Sequence, residues 1–221
     1  MPFAGDITST ANGTLALSVV AAILYAFMQA GDPSWRRTAV KTAPVLLLAV
    51  LSLVQGGPWL LAAGLLASAA GDAALAQEGE RPFLAGLAAF LLAHLLYIVL
   101  FIVHWPGADS FFAEPWRAAA ALVLVVFCGL MLRRLLPALP GEMRLPVVAY
   151  VAAITLMGLT AFGVPGIGVA AGATLFVASD AILATQKFLL AEASPHRAWT
   201  GHAVWALYYA AQLLIALAFL L

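Results

Sequence analysis

The stretch Gly71-Asp72-Ala73-Ala74-Leu75-Ala76 places a carboxylate near the end of a long apolar run, and Ser179-Asp180-Ala181-Ile182-Leu183-Ala184 repeats the pattern. Each aspartate is followed 22 residues later by a histidine, His94 in one case and His202 in the other. A charged side chain at the centre of a bilayer costs at least about 2.5 kcal/mol. Carboxylates at such positions are therefore candidates for function.

The composition indicates a protein dissolved in lipid. Of 221 residues, 65% are hydrophobic and 9% are charged, whereas soluble domains contain roughly 25% charged residues. The apolar runs are continuous and do not alternate with period two, which favours helices over strands. The net charge is zero, so nothing predicts a nucleic-acid partner.

A membrane-spanning helix needs about 20 apolar residues. The sequence predicts an all-α, polytopic bundle of eight transmembrane helices, which forms one transmembrane domain over residues 1–221. The predicted spans are 14–30, 38–54, 58–77, 83–104, 116–136, 145–163, 166–190 and 199–221. Short Gly/Pro-rich connections separate them, so neighbouring helices should be antiparallel.

The basic residues predict the orientation. Nine of the ten Lys and Arg side chains lie in or beside the odd-numbered loops, and Arg117 is the exception. Since cytoplasmic loops are enriched in Lys and Arg, the odd loops should be cytoplasmic and both termini outside. The compact, Ala-rich chain is typical of a bacterial protein, which favours the inner membrane.

An internal repeat relates the two halves of the chain. A shift of 108 residues maps Asp72 onto Asp180 and His94 onto His202. These matches are informative because the chain contains only five Asp and four His. We predict a parallel repeat of four helices, with halves of approximately 14–113 and 114–221.

The two aspartates form the predicted catalytic pair. Gly71 and Ser179 are small and allow close helix approach, which favours a shared cavity for Asp72 and Asp180. Two carboxylates in one site of low dielectric cannot both ionise easily, so one stays protonated and acts as a general acid. Such a pair suits hydrolysis through an oxocarbenium-like state, or attack by water as in aspartyl proteases. The alternative is a pair of helix-end aspartates that reach the cytoplasmic surface.

Other polar side chains in the apolar runs are candidates for supporting roles. His94 with Tyr97, and His202, are positioned to orient the carboxylates, although hydrogen bonding between helices explains them equally. The two histidines and two aspartates together offer a metal site as an alternative, but no metal-binding His spacing is present, and we expect neither a metal nor another cofactor. Lys41 either extends to the cytoplasmic interface, binds a phosphate or balances the charge of an aspartate. Gln212 is most simply a hydrogen-bonding contact between helices.

Several of these residues occur in an ordered set that resembles the YhhN family. The set comprises Gly71-Asp72, His94-Leu95-Leu96-Tyr97, Phe176-Val177-Ala178-Ser179-Asp180 with Phe188, and Tyr208-Tyr209-Ala210-Ala211-Gln212, with Lys41 and Pro44 in the second helix. The resemblance extends over nearly the whole chain. It implies a membrane lysoplasmalogenase, which hydrolyses the vinyl-ether bond of a lysoplasmalogen to a fatty aldehyde and glycerophosphoethanolamine or glycerophosphocholine.

The resemblance also implies site roles. The paired aspartates of the family correspond to Asp72 and Asp180. Our own hypothesis is that six side chains orient or support them: His94, Tyr97, Ser179, His202, Tyr208 and Gln212. In the same hypothesis Lys41, with arginine at the cytoplasmic edge, binds the phosphate headgroup. The expected partners are a lysophospholipid and the surrounding membrane lipid. Two other hypotheses remain open: a transporter or channel for a small solute or lipid, and a structural protein that merely buries two aspartates.

Overall fold

A computed structural model describes residues 1–108, 111 and 114–221 of the chain. Within this part, eight long α-helices confirm the predicted polytopic helical architecture. The helices are α1 (Thr10–Met28), α2 (Trp35–Val54), α3 (Trp59–Leu75), α4 (Glu80–Val103), α5 (Pro115–Leu135), α6 (Gly141–Ala161), α7 (Gly168–Phe188) and α8 (His196–Leu220). A short 3₁₀ turn, Leu136–Ala138, follows α5.

Seven of the eight described helices are long and apolar enough to cross a membrane, and the eighth, α3, is a shorter apolar helix of 17 residues. That length is at the lower end of the range for a span, about 17 to 25 residues. The protein is therefore a multi-pass membrane protein.

The chain divides into two compact units. The first unit contains residues 1–97 and 212–221, and the second contains residues 98–211. The predicted repeat halves are defined by sequence matches and not by compactness, and they stay a prediction.

Helices α1, α2 and α3 pack in succession in the first unit. Serine side chains cap α1 and α2, since Ser9 accepts from the Asn12 amide and Ser34 from the Arg37 amide. These caps satisfy amides that have no partner within the helix. Ser18 of α1 donates to the Pro44 carbonyl of α2 at 2.8 Å in a buried contact.

An arginine holds the loop between α6 and α7 in the second unit. Arg117, in the first turn of α5, is 4% exposed and donates to the carbonyls of Phe162 at 2.5 Å and Val164 at 2.8 Å. Its guanidinium also pairs with Glu114 at 3.2 Å. Hydrogen bonds from Trp116 and Arg117 hold the pKa of Glu114 below its usual value. Arg117 therefore closes the C-terminal end of α6, where helix carbonyls lack partners.

A second arginine has the same role at the end of α7. The Arg197 guanidinium donates to the carbonyls of Gln186 at 2.9 Å, Leu190 at 2.9 Å and Ala191 at 3.0 Å. Since Arg197 lies in the first turn of α8, this contact fixes the connection between α7 and α8.

Candidate active site

Asp72 lies in the last turn of α3 and is only 2% exposed. Its charge interacts with the ammonium of Lys41 on α2 and with Tyr25 on α1. A buried carboxylate needs such polar neighbours, because its isolated charge is costly in a medium of low dielectric. The first unit thus brings together Asp72 and Lys41, two of the residues that the sequence singled out.

Small residues set the register between α3 and α4. A Cβ atom on Gly64 would lie 2.6 Å from the Tyr97 ring, and one on Gly71 would lie 2.6 Å from the Phe90 ring. From Gly64 to Gly71 the contact advances seven residues along α3, and from Tyr97 to Phe90 it moves back seven residues along α4. This is the pattern expected of antiparallel helices. Gly71 leaves room for an aromatic ring beside Asp72, which agrees with its predicted role in close helix approach.

A buried hydrogen bond links α4 and α8 in the first unit. The Tyr97 hydroxyl donates to the Gln212 side-chain oxygen at 2.6 Å, and both side chains are 0% exposed. Ser68 of α3, also fully buried, lies beside the Tyr97 hydroxyl. This contact supports the interpretation of Gln212 as a hydrogen-bonding contact between helices.

His94 is fully buried and lies one turn before Tyr97 on α4. Ser68, in turn, lies one turn before Asp72 on α3. Because residues three or four apart share a helix face, these residues extend a buried polar surface away from Asp72.

Asp180 lies within α7 and is half-buried. The Tyr150 hydroxyl of α6 donates to its Oδ2 atom at 2.6 Å. The neighbouring Ser179 is 1% exposed, and its hydroxyl donates to the Val204 carbonyl of α8 at 3.0 Å. The hydrogen bond of Ser179 connects α7 to α8, and that of Tyr150 orients the carboxyl group.

The remaining predicted residues of the second unit are Tyr208 and His202. Tyr208 is 5% exposed and packs edge-on against the Phe176 ring, with 5.5 Å between the ring centroids. The His202 side chain is exposed, and its Nδ1 atom lies 2.9 Å from the Ala198 carbonyl of its own helix. Tyr208 thus packs against Phe176, one turn before Ser179 on α7, whereas the described hydrogen bond of His202 is local to α8.

The two predicted catalytic residues belong to different units. Asp72 is in the first unit and Asp180 is in the second, and their pairing stays a prediction. In the described part of the chain, no three His, Cys, Asp or Glu side chains gather closely enough to hold a metal ion.

Sequence reasoning missed three residues that contact the candidates. They are Tyr150, which donates to Asp180, and Tyr25 and Arg37, which belong to the cluster around Lys41. A tyrosine in an apolar helix is unremarkable by composition, so its position gave no signal. Arg37 was visible only as one of several basic residues at a loop.

Comparison with known proteins places the chain in a family. The model of the YhhN family matches residues 36–219. The chain is 38% identical over 190 residues to lysoplasmalogenase TMEM86B of Homo sapiens, which covers 83% of this chain and 75% of that protein. It is 31% identical over 209 residues to lysoplasmalogenase TMEM86A of Bos taurus, which covers 86% and 81%.

A bacterial protein is similar as well. The chain is 34% identical over 165 residues to a lysoplasmalogenase of Mycobacterium bovis, and the match covers 73% of this chain and 60% of that protein. No solved structure gives a significant match. The resemblance noted in the motifs is therefore confirmed by the whole sequence: the chain belongs to the YhhN family.

Proposed function

We propose that this protein is a membrane lysoplasmalogenase, which cleaves the vinyl-ether bond of a lysoplasmalogen. The observation that carries the proposal is the similarity to relatives named lysoplasmalogenase, which extends over more than four fifths of the chain in two of them. The buried carboxyl group of Asp72 and the hydrogen-bonded carboxyl group of Asp180 supply acid–base groups suited to this hydrolysis.

The chemistry requires one acid and one carboxylate. Protonation of the outer vinyl carbon gives an oxocarbenium ion, and water adds to the carbon attached to oxygen with loss of a proton. In the hemiacetal that results, the hydroxyl proton is transferred to the glycerol oxygen as the carbon–oxygen bond breaks, which releases a fatty aldehyde and glycerophosphoethanolamine or glycerophosphocholine. A neutral carboxylic acid supplies the first proton, and a carboxylate stabilises the cation and accepts the proton from water.

Asp72 and Asp180 fill these two roles in the proposal, without assignment of either role to one residue. Each has a neighbour that supports it, since Lys41 interacts with Asp72 and Tyr150 donates to Asp180. The other predicted residues act by positioning: His94, Tyr97 and Gln212 in the first unit, and Ser179, His202 and Tyr208 in the second. Lys41 binds the headgroup phosphate.

The site belongs to the inner membrane in this proposal, with both termini outside and the odd-numbered loops in the cytoplasm. Asp72, near the α3–α4 loop, then lies toward the cytoplasmic side. A lysolipid carries one hydrocarbon chain, which the apolar helices accommodate while the headgroup stays near the cytoplasmic interface.

The test is aldehyde release from lysoplasmenyl-ethanolamine by purified protein in detergent, with and without a chelator. Since general acid–base catalysis contributes about 10² to 10⁴ in rate, Asp72→Asn and Asp180→Asn should each lower kcat by at least about 100-fold. Asp32→Asn, an identical change at an exposed position, is the matched control and should retain wild-type activity.

Wild-type turnover by either Asn variant would remove that carboxylate from the mechanism. If the chelator abolished the activity of the wild-type protein, a metal ion would be implicated instead. If folded wild-type protein releases no aldehyde, the substrate assignment is wrong and the transporter hypothesis becomes the better one.

A further inference from the structure

Two cations and one carboxylate form a cluster at the N-terminal end of α2 in the first unit. The Lys41 ammonium interacts with the charges of both Asp72 and Arg37. Lys41 also lies over the Tyr25 ring, with its Nζ atom 6.0 Å from the ring centroid. The side chains of Arg37 and Lys41 are half-buried, and that of Tyr25 is 5% exposed.

The charges in this cluster do not cancel. With Asp72 ionised, Lys41 and Arg37 leave an excess of one positive charge. Arg37 lies in the first turn of α2, where the helix dipole is itself positive and favours anions, and Lys41 lies one turn further along the helix. A partly buried cluster of this kind is stabilised by one further negative group.

The Arg37 guanidinium has one neighbour that positions it and one donor atom without a hydrogen-bond partner among the described residues. Its side chain lies within hydrogen-bonding reach of the Tyr25 hydroxyl. Its Nε atom is buried and has no hydrogen-bond partner in the part of the chain that the structure describes. A buried donor without an acceptor is costly, so an incoming oxygen ligand would relieve that cost.

Arg37 and Lys41 are one helical turn apart, so their side chains can converge on one ligand from the same face of α2. Arginine binds phosphate through a planar fork of donors, and lysine binds it as a compact charge. We propose that Arg37 and Lys41 together bind the phosphate group of the lipid substrate, with Tyr25 holding the Arg37 side chain in place.

This inference rests on the proposed function and extends it to a site built from Lys41 and one specific arginine, Arg37. Five covalent bonds of about 1.5 Å each separate the phosphorus from the vinyl-ether oxygen. A phosphate site must therefore lie close to the catalytic groups. The interaction of Lys41 with Asp72 meets that requirement, because it joins the phosphate site to one of the candidate catalytic carboxylates.

The test measures binding and not turnover, so it stands even if vinyl-ether hydrolysis fails. The probes are a saturated alkyl-ether lysophosphatidylethanolamine, which has no vinyl bond to cleave, and the matching alkylglycerol, which has no phosphate. A hydrogen bond to a charged group typically changes a dissociation constant tenfold or more. Wild-type protein should therefore bind the phospholipid at least about tenfold more tightly than the alkylglycerol.

Two adjacent arginines provide the matched variants. Arg37→Gln should remove most of the preference for the phosphorylated probe while leaving affinity for the alkylglycerol unchanged. Arg36→Gln removes the same charge from an exposed side chain that stacks over Trp35, and it should retain the preference. Equal losses in the two variants, or no loss in Arg37→Gln, would overturn the proposal.

Arg37→Lys covers the case in which Arg37→Gln does not fold. Lysine keeps the charge but lacks the fork, so the preference should fall by at least about threefold. A wild-type preference in Arg37→Lys would exclude the guanidinium contact. Inorganic phosphate at millimolar concentration should not displace the phospholipid probe. If inorganic phosphate bound as tightly as the phospholipid and displaced it, this would be a site for free phosphate, and the lipid assignment would be overturned.

Discussion

At the residue scale, each candidate carboxyl group has polar neighbours of its own. Asp72 is almost fully buried and interacts with a lysine, whereas Asp180 is half-buried and accepts from a tyrosine hydroxyl at 2.6 Å. A short hydrogen bond from a phenol fixes the orientation of a carboxyl group and restricts which oxygen faces a substrate. In the proposed mechanism, Tyr150 is therefore predicted to be a positioning residue for Asp180.

Tyr150→Phe should lower kcat by about tenfold to 100-fold, the factor that corresponds to one hydrogen bond with a charged group. We expect KM to change less than about twofold, because the hydroxyl does not bind the headgroup or the chain in this mechanism. Steady-state aldehyde release over a range of substrate concentrations separates the two constants. A rise in KM with unchanged kcat would contradict the positioning role.

Thr155→Val is the matched control for that experiment. It removes a hydroxyl from the same helix, and this hydroxyl donates to the Val151 carbonyl at 2.6 Å and to no part of the candidate site that the structure describes. Activity within about twofold of wild type is expected. A comparable loss in both variants would indicate that α6 tolerates no hydroxyl removal, and Tyr150 would have no special role.

At the element scale, arginines close the C-terminal ends of α6 and α7. Arg117 and Arg197 each donate to carbonyls at the end of a helix that lies elsewhere in the sequence. Glu114 supports Arg117, and because its pKa is lowered, this support is present above the ordinary value of 4.5 and is lost as the pH falls through the lowered value. These contacts hold the C-terminal ends of the two helices that carry Tyr150 and Asp180.

Arg117→Gln should destabilise the protein by about 1–3 kcal/mol, because it leaves the buried carbonyls of Phe162 and Val164 without their donor. Thermal unfolding in detergent measures the effect. Arg133→Gln, at an exposed position near the other end of α5, should change stability by less than about 0.5 kcal/mol. Equal effects in the two variants would contradict the capping role.

At the scale of the whole molecule, the distribution of basic residues predicts the orientation, and Arg117 is its exception. The structure supplies a reason for that exception. The Arg117 side chain is 4% exposed, and its two terminal nitrogens donate to backbone carbonyls and to Glu114. Because internal contacts hold the Arg117 charge, its location has a structural cause. That cause is independent of the enrichment of basic residues in cytoplasmic loops.

Labelling of single cysteines tests the orientation. Cys128 is the only cysteine of the chain and is buried, so Cys128→Ala provides the background. Gln55→Cys, in the second loop, should react with an impermeant thiol reagent in intact spheroplasts. Glu78→Cys, in the third loop, should react only after the membrane is permeabilised. The opposite labelling pattern would show that the orientation is the reverse of the predicted one.

The sequence by itself determined the membrane class, the eight helices, the candidate aspartates and the family. Long apolar runs must form helices in lipid, because each backbone polar group has to be satisfied within its own segment. The observed helices accordingly follow the predicted spans, with ends that differ by a few residues. The aspartates and histidines stood out because such residues are rare and costly in apolar runs.

Only the tertiary structure decided which side chains surround each carboxyl group. The Tyr150–Asp180 and Tyr97–Gln212 hydrogen bonds, and the cluster of Arg37, Lys41 and Tyr25 beside Asp72, join different helices. The rotation and register of one helix against another depend on packing details, such as the space that Gly64 leaves for Tyr97. A sequence pattern reports the face of a single helix and not its neighbour, so these contacts had no signature along the chain.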